Sequence, residues 1–100
     1  MRYDAFRQRL VDAVLDTPGE TPVELRRAAM QRRTIPPPLA SYVEKVALHA
    51  YKVTDADVAA LQRAGHSDDA LFEITVAAAV GAALHRLERG MAALRGEEPD

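Results

Sequence analysis

Residues 75–90 read TVAAAVGAALHRLERG. The segment has no proline and carries apolar or small residues on more than one side, so it reads as the centre of a long helix covering residues 68–95. Two stripes run along it. One holds Phe72, Val76, Val80, Ala83, Leu87 and Met91; the other holds Leu71, Ile74, Ala78, Gly81 and His85. An amphipathic surface helix needs one stripe, so two stripes predict burial on two sides. The alanines and glycine add little bulk and let another helix approach closely. With 100 residues available to cover it, the second stripe is expected to meet another subunit.

Working outward, four shorter helices precede this one, and no segment alternates apolar and polar residues as a strand would. The first spans about residues 3–15, with Phe6, Leu10, Val11, Val14 and Leu15 on one face, and DTPG (16–19) ends it. The second opens at TPVE, with Thr21 as N-cap, Pro22 in the first turn and Glu24 closing a capping box, and runs to Arg33. TIPPP (34–38) cannot continue a helix and separates an N-terminal arm, 1–33, from a body over 39–95. The third helix covers 39–51. The fourth starts at the N-cap Thr54, with Asp57 in the capping-box position, and stops at Gly65. Ser67, Asp68 and Asp69 then begin the long helix as cap and dipole would select. The fold class is therefore all-α, about five helices, with a frayed tail over 96–100.

Composition excludes more than it proposes. The chain has no cysteine, so thiol redox chemistry, cysteine nucleophiles and cysteine-ligated zinc are ruled out. Net charge is -2. Residues 1–33 carry seven Arg against five acids (+2), and the remainder six basic against ten acidic residues (-4), too mild an asymmetry to name a partner. No apolar run of transmembrane length and no signal peptide is legible, which makes a soluble cytoplasmic protein the default. The histidines lack metal-site spacing, so no metal and no cofactor is expected. DVAALQRAGHSDDALFEITV (57–76) imitates a helix-turn-helix, but Asp68, Asp69 and Glu73 stand where phosphates would be met, and no Lys or Arg occurs from Gly65 to Leu84. Nucleic acid is not an expected partner.

Four residues stand out as candidates for chemistry. His49 falls near the end of the third helix, where a cation is favoured. Asp57, beyond its capping role, could serve as a base. Glu73, between Phe72 and Ile74, could have a raised pKa and carry a proton; the plainer alternative is exposure or an ion pair with a basic residue such as Arg63. Lys52 could bind a substrate carboxylate. His85, within an apolar stripe, reads as a core or interface residue, and Arg86 and Arg89 as a solvated or subunit-bridging face.

Residues 38–95, and above all VAALQRAGHSDDALFEITVAAAVGAALHRLERGMAAL (58–94), resemble the carboxymuconolactone decarboxylase and alkylhydroperoxidase D-like superfamily. The likeness lies in the AG-x-S turn, the acidic residues after it, the F-E-I step and the small-residue helix. Thiol-active members carry a CxxC and then, after three intervening residues, a His; those positions fall on Ala50, Val53 and Asp57 here. The resemblance implies an all-helical homo-oligomer, trimeric or a multiple of that, with pockets near subunit contacts and without peroxidase chemistry. Three functions stay open: an oligomeric binding or scaffolding protein with a small-molecule ligand, a cysteine-independent decarboxylase or isomerase acting on a small organic acid or lactone, and a helical regulator using its basic arm on a protein partner.

Overall fold

The computed structural model describes residues 2–96. Five α-helices and one 3-10 turn occupy them: α1 Arg2–Leu15, α2 Val23–Gln31, α3 Leu39–Leu48, the turn Ala50–Lys52, α4 Asp55–Arg63 and α5 Asp68–Leu94. No strand occurs among the described residues. The expected tail falls outside them except for Gly96.

The helix starts read from local capping chemistry are present. The Thr54 hydroxyl accepts from the Asp57 amide at 3.3 Å, and the Asp57 carboxylate accepts from the Thr54 amide at 3.0 Å, a reciprocal box. The Ser67 hydroxyl accepts from the Ala70 amide at 3.1 Å. Gly65 closes α4 with φ 104°. Two expectations shift. α3 stops at Leu48, three residues short of Tyr51, and gives way to the 3-10 turn. α2 has no side-chain cap: Pro22 occupies the N-cap position, and Thr21 turns instead to a carboxylate on α5.

α5 is the axis of the molecule. Its 27 residues reach about 40 Å at 1.5 Å per residue, consistent with overall extents of 47 × 28 × 21 Å. α2, α3 and α1 all pack on it, and α1 also meets α2. Val14, Ala29, Met30, Ile35, Leu39, Val43, Leu61, Leu71 and Ile74 share one core with Ala77 and Ala78. Residues of the N-terminal segment 1–33 thus pack in the same core as the C-terminal body.

The stripe of α5 expected at a subunit contact is covered from within the chain. Leu71, Ile74 and Ala78 are buried inside the chain. Gly81 lies against α2, where an added Cβ would overlap the Met30 carbonyl oxygen and sit 2.7 Å from its carbon. The stripe expected to face another subunit is therefore covered by the chain's own α2 and α3. The other stripe is only partly covered: Val76 and Val80 pack against the core, whereas Phe72 is 70% exposed and Leu87 36%, with Phe6 of α1 alongside at 45%. His85, at the end of the covered stripe, borders Met30 at the C-terminal end of α2 and is exposed. By length and composition α5 could cross a bilayer, a property it shares with core helices of its length.

Candidate functional site

Arg26 is the most buried charged side chain, 5% exposed. Its place follows from spacing: residues 26, 29 and 30 share one helix face, and Ala29 and Met30 are core. Nε donates to the Val14 carbonyl at 2.9 Å. Nη1 donates to the Thr21 carbonyl at 2.6 Å and hydroxyl at 3.2 Å, and Nη2 to the carbonyls of Leu15 at 3.2 Å and Thr17 at 3.0 Å. The guanidinium thereby caps the end of α1, whose last carbonyls lack intrahelical partners, and places positive charge at the negative end of its dipole.

Glu73 completes the arrangement from α5. Its carboxylate accepts from the Glu20 amide at 2.8 Å, the Thr21 amide at 2.9 Å and the Thr21 hydroxyl at 2.5 Å, with Arg26 Nη1 at 3.6 Å. The Glu20 side chain in turn accepts from the Ser67 hydroxyl at 2.5 Å. A raised pKa was expected for Glu73 from its apolar neighbours; the structure reverses this. The Thr21 hydroxyl first, then the Glu20 and Thr21 amides and the Arg26 charge, stabilise the carboxylate against the opposing effect of burial and hold its pKa below the ordinary value. The ion-pair partner is Arg26, not the Arg63 suggested by proximity in sequence.

Because the folded pKa lies below the unfolded one, Glu73 contributes stability that is full above the unfolded value and is lost as pH falls through the folded one. Thermal unfolding should therefore show a fall in Tm below about pH 4.3, the ordinary glutamate value. Glu73→Gln, which has no charge to titrate, should lower Tm at pH 7 and flatten that acid limb. An acid limb unchanged in the variant would assign it to other carboxylates.

The remaining candidates do not gather around Glu73. Asp57 accepts from Lys45 Nζ at 2.9 and 3.0 Å, in addition to its capping bond. The Lys45 hydrogen bond, followed by the Thr54 amide, lowers its pKa, which makes it a poorer base. His49 is the exposed C-cap of α3, edge-on to Tyr51 with ring centroids 6.1 Å apart. Lys52 sits over the same ring, 5.9 Å from its centroid. Glu73 lines a shallow cavity of about 150 Å³ with Val14, Arg26 and Phe72, and His49, Lys52 and Asp57 take no part in it. Ala50 and Val53, the two positions matched to thiols, bracket the 3-10 turn, where the Val53 amide donates to the Ala50 carbonyl at 3.1 Å. Among the described residues no cluster of three His, Asp or Glu could hold a metal ion.

A concave region formed where α2 and α3 end over α5 carries residues the sequence did not single out together. It has two lobes sharing Arg32 and Leu48. One, about 360 Å³, is lined by Arg33, Ile35, Val43 and Glu44. The other, about 200 Å³, is lined by Met30, Ala47, His85 and Arg86. Arg86 Nη2 donates to the Ala47 carbonyl at 3.3 Å. Arg32, after the last residue of α2, is held at φ 51° and ψ 45°, a left-handed conformation that costs a non-glycine residue about 1–2 kcal/mol. The sequence signal was RR before a proline break, but the convergence with Arg86 is separated by more than fifty residues and no local pattern encodes it.

The charge of this cleft is positive on balance. Arg32, Arg33 and Arg86 against Glu44 give +2, and the C-termini of α2 and α3 contribute roughly half a negative charge each, leaving about +1. The floor is apolar, from Ile35, Val43 and Leu48. Comparison with protein-family models, curated proteins and solved structures found no match for this chain.

Proposed function

We propose that this is an oligomeric binding protein whose ligand is a small organic carboxylate with an apolar body, held in the Arg32–Arg33–Arg86 cleft. The observation carrying this reading is the backbone of Arg32. Glycine is the favoured residue at a left-handed position after a helix, yet an arginine stands there, with its side chain at the junction of both lobes. A strained residue at a concave surface is a functional signal. The ligand's carboxylate would meet the guanidinium fork geometry that suits carboxylates, and its apolar part would lie against Ile35, Val43 and Leu48.

In this reading the chain is a thiol-free relative of the alkylhydroperoxidase D-like proteins, with binding in place of redox chemistry. The decarboxylase or isomerase alternative has less support, because Asp57 and Glu73 are occupied as low-pKa acceptors and lie on separate networks.

Arg32→Gly separates binding from stability. It should raise Tm by roughly 4–8 °C, the equivalent of about 1 kcal/mol in a chain of this size, by relieving the left-handed backbone. It should also weaken binding of benzoate about tenfold or more, through loss of a charged hydrogen bond. NMR titration of the 15N-labelled chain measures both the affinity and the place. Saturable benzoate shifts at residues 31–35, 47–48 and 85–86 are expected. An absence of shifts there at millimolar benzoate overturns the reading, and equal shifts with inorganic phosphate would reduce it to general anion binding.

A further inference from the structure

The open stripe of α5 has a pattern that the covered stripe lacks. Its outermost line differs from the stripe read in the sequence and runs through Phe72, Val76, Ala79, Ala83, Leu87, Gly90 and Leu94, at spacings of 4, 3, 4, 4, 3 and 4, with Val76 half-buried against the core. That is an 11-residue repeat, 3.67 residues per turn, close to the natural 3.6 of an α-helix, so the stripe keeps one direction along its whole length with little supercoiling. From Val76 to Leu94 no charged side chain interrupts it, and its large members are open to solvent: Phe72 70%, Leu87 36% and Leu94 83% exposed. Ala79, Ala83 and Gly90 between them are also exposed.

The pattern is complementary to itself when reversed. With two copies of α5 antiparallel about Ala83, Phe72 of one faces Leu94 of the other, Val76 faces Gly90, Ala79 faces Leu87, and Ala83 faces Ala83. Two of these layers set a larger side chain against a small one, which lets two helices interdigitate at close range. A parallel arrangement would set large on large and small on small. Charge selects the same orientation. Asp68 and Asp69 are exposed at the start of α5 and Arg89 near its end, whereas Glu73, Arg86 and Glu88 are engaged within the chain by Thr21, the Ala47 carbonyl and Arg7. Antiparallel pairing brings the acidic start of each helix toward the basic end of the other and opposes the two helix dipoles, whereas parallel pairing puts like on like. A two-fold interface of this kind uses the same patch on both copies.

We infer that the occupant of this face is a second copy of the chain, joined by an antiparallel α5–α5 seam with Ala83 on the two-fold axis. Phe6 of α1, which lines a shallow groove of about 500 Å³ with Leu87 and Met91, borders the seam, and the N-terminal half of the partner's α5 lies along that groove. The seam gives a specific form to the oligomeric part of the reading above; the cleft of Arg32 and Arg86 lies on another side of the molecule and does not depend on it.

The absence of cysteine makes a direct test clean. Light scattering of the full chain at tens of micromolar concentration (about 10⁻⁵ M, far above the dissociation constant of a stable dimer) should give twice the 10.9 kDa chain mass. Ala83→Cys, oxidised with copper phenanthroline, should convert most of the chain to a covalent dimer, since two β-carbons on the axis come within disulfide range. Ala60→Cys, exposed on α4, should not. Phe72→Glu alters an exposed side chain, so the helical circular dichroism should be kept while the mass falls to that of one chain; benzoate binding by this variant should persist. A monomeric wild-type chain, a trimer, or a dimer in which Ala83→Cys cross-links no better than Ala60→Cys overturns the seam. So does a monomer that binds phosphatidylcholine vesicles, which would assign the stripe to a lipid surface. Loss of benzoate binding with an intact seam would instead count against the cleft alone.

Discussion

Arg26→Met should lower unfolding stability by about 3–5 kcal/mol, the range for removing one partner from a buried charge network. Methionine matches the length and the burial, so the loss is not one of packing. It comes from the acceptors left behind: carbonyls of Val14, Leu15, Thr17 and Thr21, and the Glu73 carboxylate, all arranged around one guanidinium. Against a total stability of about 5–15 kcal/mol for a domain, this is between a fifth and the whole of what holds the chain folded. Urea unfolding followed by circular dichroism measures it. Arg26→Lys should recover little, because an ammonium presents three donors at a point where the site uses five N–H groups in a plane. A loss below about 1 kcal/mol would mean that water replaces the guanidinium at the α1–α2 turn.

Gly81 carries the second large effect. A helical Gly→Ala change normally gains about 1 kcal/mol from propensity, so most interior glycines are improved by it. Here the new methyl would overlap the backbone of Met30, with its carbonyl carbon at 2.7 Å and Cα at 2.9 Å. Backbone cannot rotate away as a side-chain tip can, so α2 would have to shift on α5. Overpacking costs about 1–3 kcal/mol and occasionally more, which outweighs the propensity gain. Gly81→Ala should lower stability by up to roughly 2 kcal/mol net, and Gly81→Leu by more than about 3 kcal/mol. Gly90 on the same helix has nothing within 4 Å and lacks this penalty. Chemical denaturation of the three proteins decides the matter; a more stable Gly81→Ala would show that the helices are not in backbone contact.

Local chemistry was legible in the sequence and distant chemistry was not. Thr54 with Asp57, and Ser67 before Asp68 and Asp69, announce helix starts because donor and acceptor lie within three residues. Thr21 and Glu24 carry the same signature, yet Thr21 is drawn to a carboxylate 52 residues away, a competitor that no local pattern reveals. Glu73 looked desolvated because its sequence neighbours are apolar, whereas its spatial neighbours are amides, a hydroxyl and a guanidinium. Arg26 and Arg27 are equivalent as letters, and only their register with Ala29 and Met30 separates the core arginine from the exposed one. The two stripes of α5 were plain from periodicity. What the chain covers depends on where α2 and α3 dock, and their docking buries the stripe expected at a subunit contact.

The Arg26–Glu73 clasp also sets an order of events during synthesis. α1, its capping arginine and the Thr21 turn are complete long before the carboxylate that receives them. The 52 residues between Thr21 and Glu73 take about 3–10 s to translate at 5–20 residues per second. Throughout that interval the α1–α2 segment holds a charged side chain whose counter-ion does not yet exist, and an apolar face whose cover, α5, has yet to emerge. The fold therefore belongs to a chain that already includes α5: its first helices wait, solvated or chaperoned, for the fifth.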